Sequence, residues 1–425
     1  MQELEYPYNG ELLYQNKKKL KKQLLAQLDE KSCLHKKIAI LGGSTTRDIK
    51  LMLELFLLNY GIKPEFYESE FNQYYQLEEF APDVIFLHTS FRNITQFPAL
   101  SDASEAVEEL LQAEYRKYEK MWTRLAQVYH CVIIQNNFEY PYYRMMGNKD
   151  ASDIHGKVNY ITRLNLKFYE YAQQTANFYI HDINYLSAQY GLEAWSDPFY
   201  WHSYKYALCV PAIPDFAFSV AKIIKSVYGR NKKAFVLDLD NTLWGGIVGD
   251  DGVENLVLGH ETSAGQVYCA FQEYLKSYKE FGILLNIDSK NDYDNAIAGL
   301  NHPAGVLRPD DFITIKANWE PKDRNLVQIA KELNLMPDSM VFVDDNPAER
   351  EIVRAQVPGA AVPDMPIEPA YYARTIDRSG FFEITSLSED DTKRTAMYQE
   401  NARRAKEEAA FENYEDYLKA LYMKA

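Results

Sequence analysis

The stretch Ala234-Phe235-Val236-Leu237-Asp238-Leu239-Asp240-Asn241-Thr242-Leu243-Trp244 decides the fold. Four apolar residues in a row read as a short strand buried on both faces, the habit of a parallel sheet. In open α/β sheets the ligand-facing residues leave at the carboxyl ends of the strands. Asp238 and Asp240 therefore emerge where such a sheet does its chemistry. Taken by itself, the pair is equally compatible with an acidic turn.

Three further strand ends carry chemistry in the same chain. Gly282–Ile287 is an apolar run followed by Asp288-Ser289-Lys290-Asn291. A hydroxyl there either donates to a phosphoryl oxygen at a helix start or caps that helix, and the two roles are compatible. Trp319-Glu320-Pro321-Lys322 opens a helix whose apolar positions Leu326, Ile329, Ala330 and Leu333 fall on one face. Pro suits a helix start, but Lys does not, because the helix dipole disfavours a cation there. Negative charge is expected beside Lys322; Lys316, at the end of the Phe312–Ile315 run, is the alternative for the same role. Finally, Met340–Val343 leads into Asp344-Asp345-Asn346-Pro347-Ala348-Glu349-Arg350.

Acid, acid, hydroxyl and amine at four successive strand ends resemble the haloacid dehalogenase (HAD) phosphohydrolase superfamily. The resemblance implies Asp238 as the phosphoryl-accepting nucleophile and Asp240 as general acid/base. It matches Ser289 and Lys322 to the second and third motifs, and Thr242 and Asn291 to phosphate-binding or supporting positions. Mg2+ is implied between Asp238, Asp345 and the backbone carbonyl of Asp240, with Asp344 supporting Lys322. The electrostatics agree: two carboxylates 4 Å apart repel by ~4 kcal/mol at an effective dielectric of 20. A phosphate dianion joins four of them only with a hard divalent cation and Lys322 to offset the charge.

The longer strings Leu237–Gly252, Ser289-Lys290-Asn291, Asn318–Lys322 and Asp344–Arg350 resemble FkbH-like proteins, a HAD branch (subfamily IIIC) of polyketide and surface-saccharide gene clusters. Its well-understood members take the glyceryl unit of 1,3-bisphosphoglycerate, release phosphate and load the acyl group onto an acyl carrier protein. Two departures stand out. Loading members carry Cys just before Ser-Lys-Asn, where this chain has Asp288. Many relatives continue into an acetyltransferase-like domain, whereas this sequence ends at Ala425. The expected activity is therefore phosphoryl hydrolysis or transfer on a glycerate-like or other small acyl or sugar phosphate, with carrier loading as the alternative.

The first half has its own α/β pattern. Lys37–Leu41 reads as a strand, Gly42-Gly43-Ser44-Thr45-Thr46 as a turn, and Asp48 to about Tyr60 as an amphipathic helix. Val84–Leu87 and Cys131–Ile134 read as further strands around a long helix near Ser104–Tyr129. This order resembles the SGNH hydrolases. The resemblance implies Ser44 as a nucleophile, Asn93 as the third-block residue, and Asp197 and His202 as partners. The other reading is that Ser44 and its glycines shape a tight strand-to-helix turn. Asn136 and Asn137 either line that cleft or satisfy loop backbone groups.

The fold class expected is α/β: two three-layer Rossmann-like domains, SGNH-like over 1–230 and HAD-like over 231–378, then a helical C-terminal arm over 379–425. The arm reads as helices at Asp391–Ala410 and Tyr414–Leu421. Only a Gly-rich flap (Gly245–Gly259) and one helix (Ser263–Phe281) fit between the first two motifs, so the HAD-like domain is read as capless. Trp244 and Trp319 either line its opening or pack.

A net charge of −15 over 425 residues argues against nucleic acid as a partner. No apolar run approaches the ~20 residues of a membrane span, and the N-terminus has no signal-peptide pattern, so a cytoplasmic protein is expected. Four scattered cysteines without a C-x-x-C pair read as reduced thiols. The expected partners are a phosphorylated small molecule and an acidic acyl carrier protein. The Lys17–Lys22 run is either a landing site for that carrier or a solvated helix face.

Overall fold

In the computed structural model, the residues described are 1–69, 77, 79–387, 393–401 and 404. They form two compact units: Met1–Leu4 with Tyr8–Gly229, and Glu5–Pro7 with the chain from Arg230 onward.

The first unit is built on a five-stranded parallel sheet: β1 (Leu34–Gly42), β2 (Ile62–Glu68), β3 (Val84–His88), β4 (Val132–Asn136) and β5 (Phe178–His181). The strand order is β2-β1-β3-β4-β5. Alternate residues feed opposite layers, as the pleat requires. Ile38, Ile40, Val84 and Phe86 meet the helices Arg47–Asn59 and Ile213–Val227 on one face. On the other, Ala39, Leu41, Ile85 and Leu87 meet Ser104–Tyr129 and Lys157–Gln174.

The second unit repeats the plan with four parallel strands, β6 (Ala234–Leu237), β7 (Leu284–Ser289), β8 (Thr314–Ala317) and β9 (Met340–Val343), in the order β8-β7-β6-β9. Phe235, Leu237, Leu285 and Val341 pack towards the helix Ser263–Glu280. Ala234, Val236, Leu284 and Phe342 pack towards Lys322–Glu332 and Pro347–Gln356. Both units are thus the three-layer α/β sandwiches expected.

Differences from the sequence reading are local. β2 and β5 are additional strands. β8 begins two residues later than the apolar run Phe312–Ile315. Ala361 adds an isolated parallel bridge beside Val341. The flap is as short as expected: Gly245 and Val257 exchange backbone hydrogen bonds at 3.1 and 2.8 Å around a single helical turn, Val248–Asp251. Between that turn and the helix Ser263–Glu280 the chain adds only the short 3-10 helix Val253–Asn255.

Beyond residue 378 the chain does not leave the core at once. Phe382 packs with Phe235 and Tyr278, and Thr395, in a helical stretch at 393–401, donates to the carbonyl of Lys279 at 3.2 Å. Of the Asp391–Ala410 helix only 393–401 and 404 are among the described residues, and all of Tyr414–Leu421 lies outside them. Among the described residues no helix is long and apolar enough to cross a membrane. The Lys17–Lys22 run lies on the helix Gly10–Gln27, where Lys21 pairs with Glu54 at 2.8 Å.

Candidate active site

The parallel register of β6 against β7 and β9 delivers three chain segments to one edge of the second sheet. Asp238 follows β6 directly, its backbone N–H tied to Val343 at 2.9 Å. Asp344 and Asp345 follow β9. One carboxylate oxygen from each of Asp238, Asp344 and Asp345 lies within 4.8 Å of the others. Lys322, the first residue of its helix, enters the same cluster, with Nζ 3.0 Å from Asp238 Oδ1 and 2.5 Å from Asp344 Oδ2. The cation at a helix start thus meets the negative charge expected of it. Lys316 is elsewhere, paired with Glu332.

Burial sets the acidities. Asp344 is fully buried, and its pKa is pushed up to about 6 by desolvation and by Asp238, with Lys322 acting against both. Asp345 is also raised, by burial and then by Asp238. Burial opposes the Lys322 ammonium, but Asp238 and Asp344 outweigh it and hold the group above the usual lysine range.

Asp240 is fixed on three sides. Its Oδ1 accepts from Trp244 Nε1 at 2.9 Å and from the backbone of Val248 at 3.0 Å, and its Oδ2 accepts from Asn291 Nδ2 at 3.0 Å. Burial lifts its pKa above the usual carboxylate range, and the bonds from Val248 and Trp244 moderate that rise. The sharp turn that sends Asp240 back towards the flap uses Asn241 at φ +56, a conformation Asn tolerates. Trp244 is buried; its ring lies so close to Gly299 that a methyl group there would fall 2.8 Å from Cη2. Trp319 is the opposite, 71% exposed with Nε1 on Asp292 at 3.0 Å.

Other expected residues hold the frame. Thr242 Oγ1 accepts from the backbone N–H of Asp345 at 3.2 Å, tying the β6 loop to the β9 loop. Ser289 is buried at the end of β7, beside Asn291. Residues not singled out from sequence also contribute. The Arg350 guanidinium donates to the carbonyls of Asp344 and Asp345 at 2.8 and 2.7 Å. Asn325 Nδ2 reaches Asp288 Oδ1 at 3.0 Å and Asn318 Oδ1 at 2.9 Å. Asp288 is fully buried, its other oxygen has no hydrogen-bond partner, and burial pushes its pKa up to about 8.

Three hard carboxylate oxygens at this spacing suit a hard cation such as Mg2+ better than a thiolate-seeking metal. A second grouping, Glu30, Cys33 and His35 in the first unit, is largely exposed, and Lys63 already holds Glu30 at 2.5 Å.

In the first unit, the set inferred from Ser44, Asp197 and His202 is not joined. Ser44 Oγ has no hydrogen-bond partner, and Asp197 caps its own helix through Phe199 N at 2.8 Å. His202 sits exposed on that helix, with no hydrogen bond to either residue. Asn93 lies against Gly43, and its amide serves the loops, donating to the carbonyl of Gly43 at 3.1 Å and accepting from Ser90 N at 2.9 Å.

Residues 34–225 match the family model of the FkbH N-terminal domain. The structure also aligns with the N-terminal part of protein BF1531 from Bacteroides fragilis, which contains a phosphatase domain and was crystallised with Mg. That alignment has 30% identity and a TM-score of 0.78, and it covers 87% of this chain and 99% of the other. The chain belongs to the FkbH-like family. The FkbH-like chain is accordingly an enzyme. A fainter likeness is to the catalytic domain of peptidoglycan O-acetyltransferase A from Streptococcus pneumoniae, with 12% identity, a TM-score of 0.28, and coverage of 47% of this chain and 97% of that one. Curated proteins give no match.

Proposed function

We propose that this FkbH-like chain is a Mg2+-dependent phosphohydrolase or phosphotransferase that works through an aspartyl-phosphate on Asp238, on a glycerate-like or other small acyl or sugar phosphate. The observation that carries the reading is Lys322 bridging Asp238 and Asp344, with Asp345 beside them. The carboxylates of Asp238 and Asp345 and the main-chain carbonyl of Asp240 would hold Mg2+. When bound, it supplies positive charge that lets a phosphate dianion approach the carboxylates.

Asp238 attacks phosphorus in line with the leaving oxygen, forming an O–P bond as the ester or anhydride O–P bond breaks. Asp240, its acidity weakened by burial, gives its proton to that leaving oxygen. The carboxylate it becomes then takes a proton from water, which attacks the aspartyl-phosphate and frees phosphate and Asp238. Lys322 stabilises the equatorial oxygens throughout. Trp244, Val248 and Asn291 hold Asp240 at one setting for both proton transfers.

Glyceryl loading of an acyl carrier protein through a cysteine thioester has less support. Position 288 is a buried acid, and Cys269 is buried in the helix Ser263–Glu280 with Sγ 3.6 Å from the carbonyl of Ala304. The other three cysteines belong to the first unit. The short segment between β6 and the helix Ser263–Glu280, too small for a cap domain, favours a large substrate or one presented by a carrier. The test is purified protein with Mg2+ against phosphorylated metabolites, including 1,3-bisphosphoglycerate, with and without carrier protein. Phosphate release that needs Mg2+ supports the reading. No release from any of them overturns it.

A further inference from the structure

Glu30, Cys33 and His35 stand at the amino-terminal start of β1, the edge opposite to the one where open α/β sheets take their ligands. The chain builds this grouping locally. After the helix Gly10–Gln27 it turns sharply: Ser32 N and Cys33 N donate to the carbonyl of Asp29 at 3.1 and 2.9 Å, and Lys31 N to the Asp29 side chain at 3.1 Å. That turn brings Glu30 to the start of the strand. Cys33 lies one residue before β1 and His35 two residues further on, so their side chains leave on the same face.

The three donor atoms meet. Cys33 Sγ is 3.4 Å from His35 Nε2 and 3.8 Å from Glu30 Oε2, and His35 Nε2 is 3.3 Å from the same oxygen. Around a tetrahedral Zn2+ with bonds of about 2.0–2.3 Å, neighbouring ligand atoms stand roughly 3.3–3.7 Å apart. The triangle is close to one face of that tetrahedron, and a single cation above it reaches all three atoms. Lys63, level with His35 in the parallel register of β1 and β2, sets the carboxylate: it holds Oε1 at 2.5 Å and leaves Oε2 to the triangle. Thiol and imidazole select a borderline-soft metal, whereas the three carboxylates of the second unit suit a hard one. A nucleophilic role fits Cys33 less well, because desolvation and then Glu30 raise its pKa, and a reactive thiol needs the reverse.

We propose that Glu30, Cys33 and His35 bind one Zn2+ through Oε2, Sγ and Nε2, with water on the solvent side as the fourth ligand. As the S–Zn bond forms, the Cys33 thiol gives its proton to solvent, and neutral His35 keeps its proton on Nδ1. Glu30 and His35 are exposed, so the ion enters without any opening of the fold. Bound there, it ties the turn to the first residues of β1 and stabilises the folded chain by mass action. No residue of the second unit takes part.

The test uses Co2+ as a coloured stand-in for Zn2+, titrated into the untagged full chain with its thiols reduced and with Mg2+ in excess to serve the carboxylate cluster. A single equivalent should saturate a thiolate-to-cobalt charge-transfer band in the near ultraviolet, which carboxylates cannot produce. Zn2+ should erase that band, and the competition should give a Kd of about 1 μM or below. C33S should abolish the band, and H35Q and E30Q should each weaken binding by at least about tenfold. Because Cys33 is half-buried, H35Q at an exposed position is the companion that leaves the fold alone, checked by an unchanged circular dichroism spectrum. No thiolate band with Co2+, a band retained in C33S, affinity unmoved in H35Q and E30Q, or a band that Zn2+ leaves intact would each overturn the proposal.

Discussion

Lys322 Nζ donates to Asp344 Oδ2 at 2.5 Å, and both side chains are shut away from solvent. Removing one member of a buried ion pair leaves the other charged and unpartnered, which typically costs 3–5 kcal/mol, so roughly that loss is expected for Lys322→Met in urea unfolding. Asp238 loses its cation in the same variant. Turnover of an aryl phosphate should therefore fall by ~10²-fold or more. A variant as stable and active as the parent would show that Lys322 carries neither load.

Chelation separates the metal from the lysine as sources of positive charge. Stringent treatment with chelator should abolish hydrolysis of a generic aryl phosphate, and added Mg2+ should restore it. Undiminished turnover in metal-free protein would rule out a cation among Asp238, Asp345 and the Asp240 carbonyl.

The two leading carboxylates differ in what their amides would do. Asp238→Asn should trap no phosphate on the protein under acid quench, because the amide is not a nucleophile. Asp240→Asn should still accept phosphate, with turnover slowed by ~10²–10⁴-fold for want of proton transfer. Labelled phosphate recovered on the Asp238→Asn protein would assign the nucleophile to another residue.

Asp288 links acidity to stability. Its folded pKa of about 8 lies well above the ordinary aspartate value, so the folded chain keeps a proton that the unfolded chain gives up between these values. The stability this proton contributes is present below the unfolded pKa and is lost as pH rises through about 8. Asp288→Asn keeps the acceptor for Asn325 and removes the titration. Its melting temperature should exceed that of the parent by a margin that widens from pH 5 to pH 8 as the parent weakens; a margin independent of pH would mean that Asp288 does not titrate in this range.

His88 and His181 present the opposite sign. Asn136 lies between them, with Nδ2 3.0 Å from His88 Nδ1 and Oδ1 2.8 Å from His181 Nδ1, and the amide orientation is set by a further bond to the carbonyl of Thr89. Both rings are buried, and desolvation pushes both pKa values down to about 3. The unfolded chain binds protons first, so the stability these residues contribute is complete above about pH 6.5 and is lost as pH falls towards 3. Two imidazole C2–H resonances should stay fixed between pH 5 and 8 in the NMR spectrum. If all eight histidines titrated normally, the buried pair would not exist in solution.

What the sequence made legible follows from how parallel sheets are built. Strands buried on both faces are unbroken apolar runs, so β1, β3, β4, β6, β7 and β9 could be read directly, along with the strand ends that carry Asp238, Ser289 and Asp344. β2 could not: it is a half-exposed edge strand interrupted by Pro64, with neither an apolar run nor a clean alternation. β5 has only four residues, buried at its two ends. The supports of the site were equally hidden. Asn325 reaches Asp288 across 37 residues, a separation no local spacing encodes. Trp244 on Asp240 and Arg350 on two carbonyls, although only four to six residues away, depend on turn geometry that no periodic pattern signals. At Ser44 the local pattern left two readings open, and in the structure Asp197 serves as a helix cap while His202 is exposed.

On the proposed mechanism, the close approach of Gly299 to Trp244 would make proton transfer depend on a residue remote from the reacting atoms. A side chain as small as alanine at 299 would press on the indole, and the indole is one of the three donors that fix Asp240. Selection for loss of activity should therefore recover substitutions at this glycine, in the helix Tyr293–Leu300, among those at the acids themselves. For anyone reshaping the enzyme towards new phosphates, the tolerant positions are to be sought on the exposed rim around Trp319. The packed seam behind Trp244 is where diversity is expected to extinguish turnover without touching affinity.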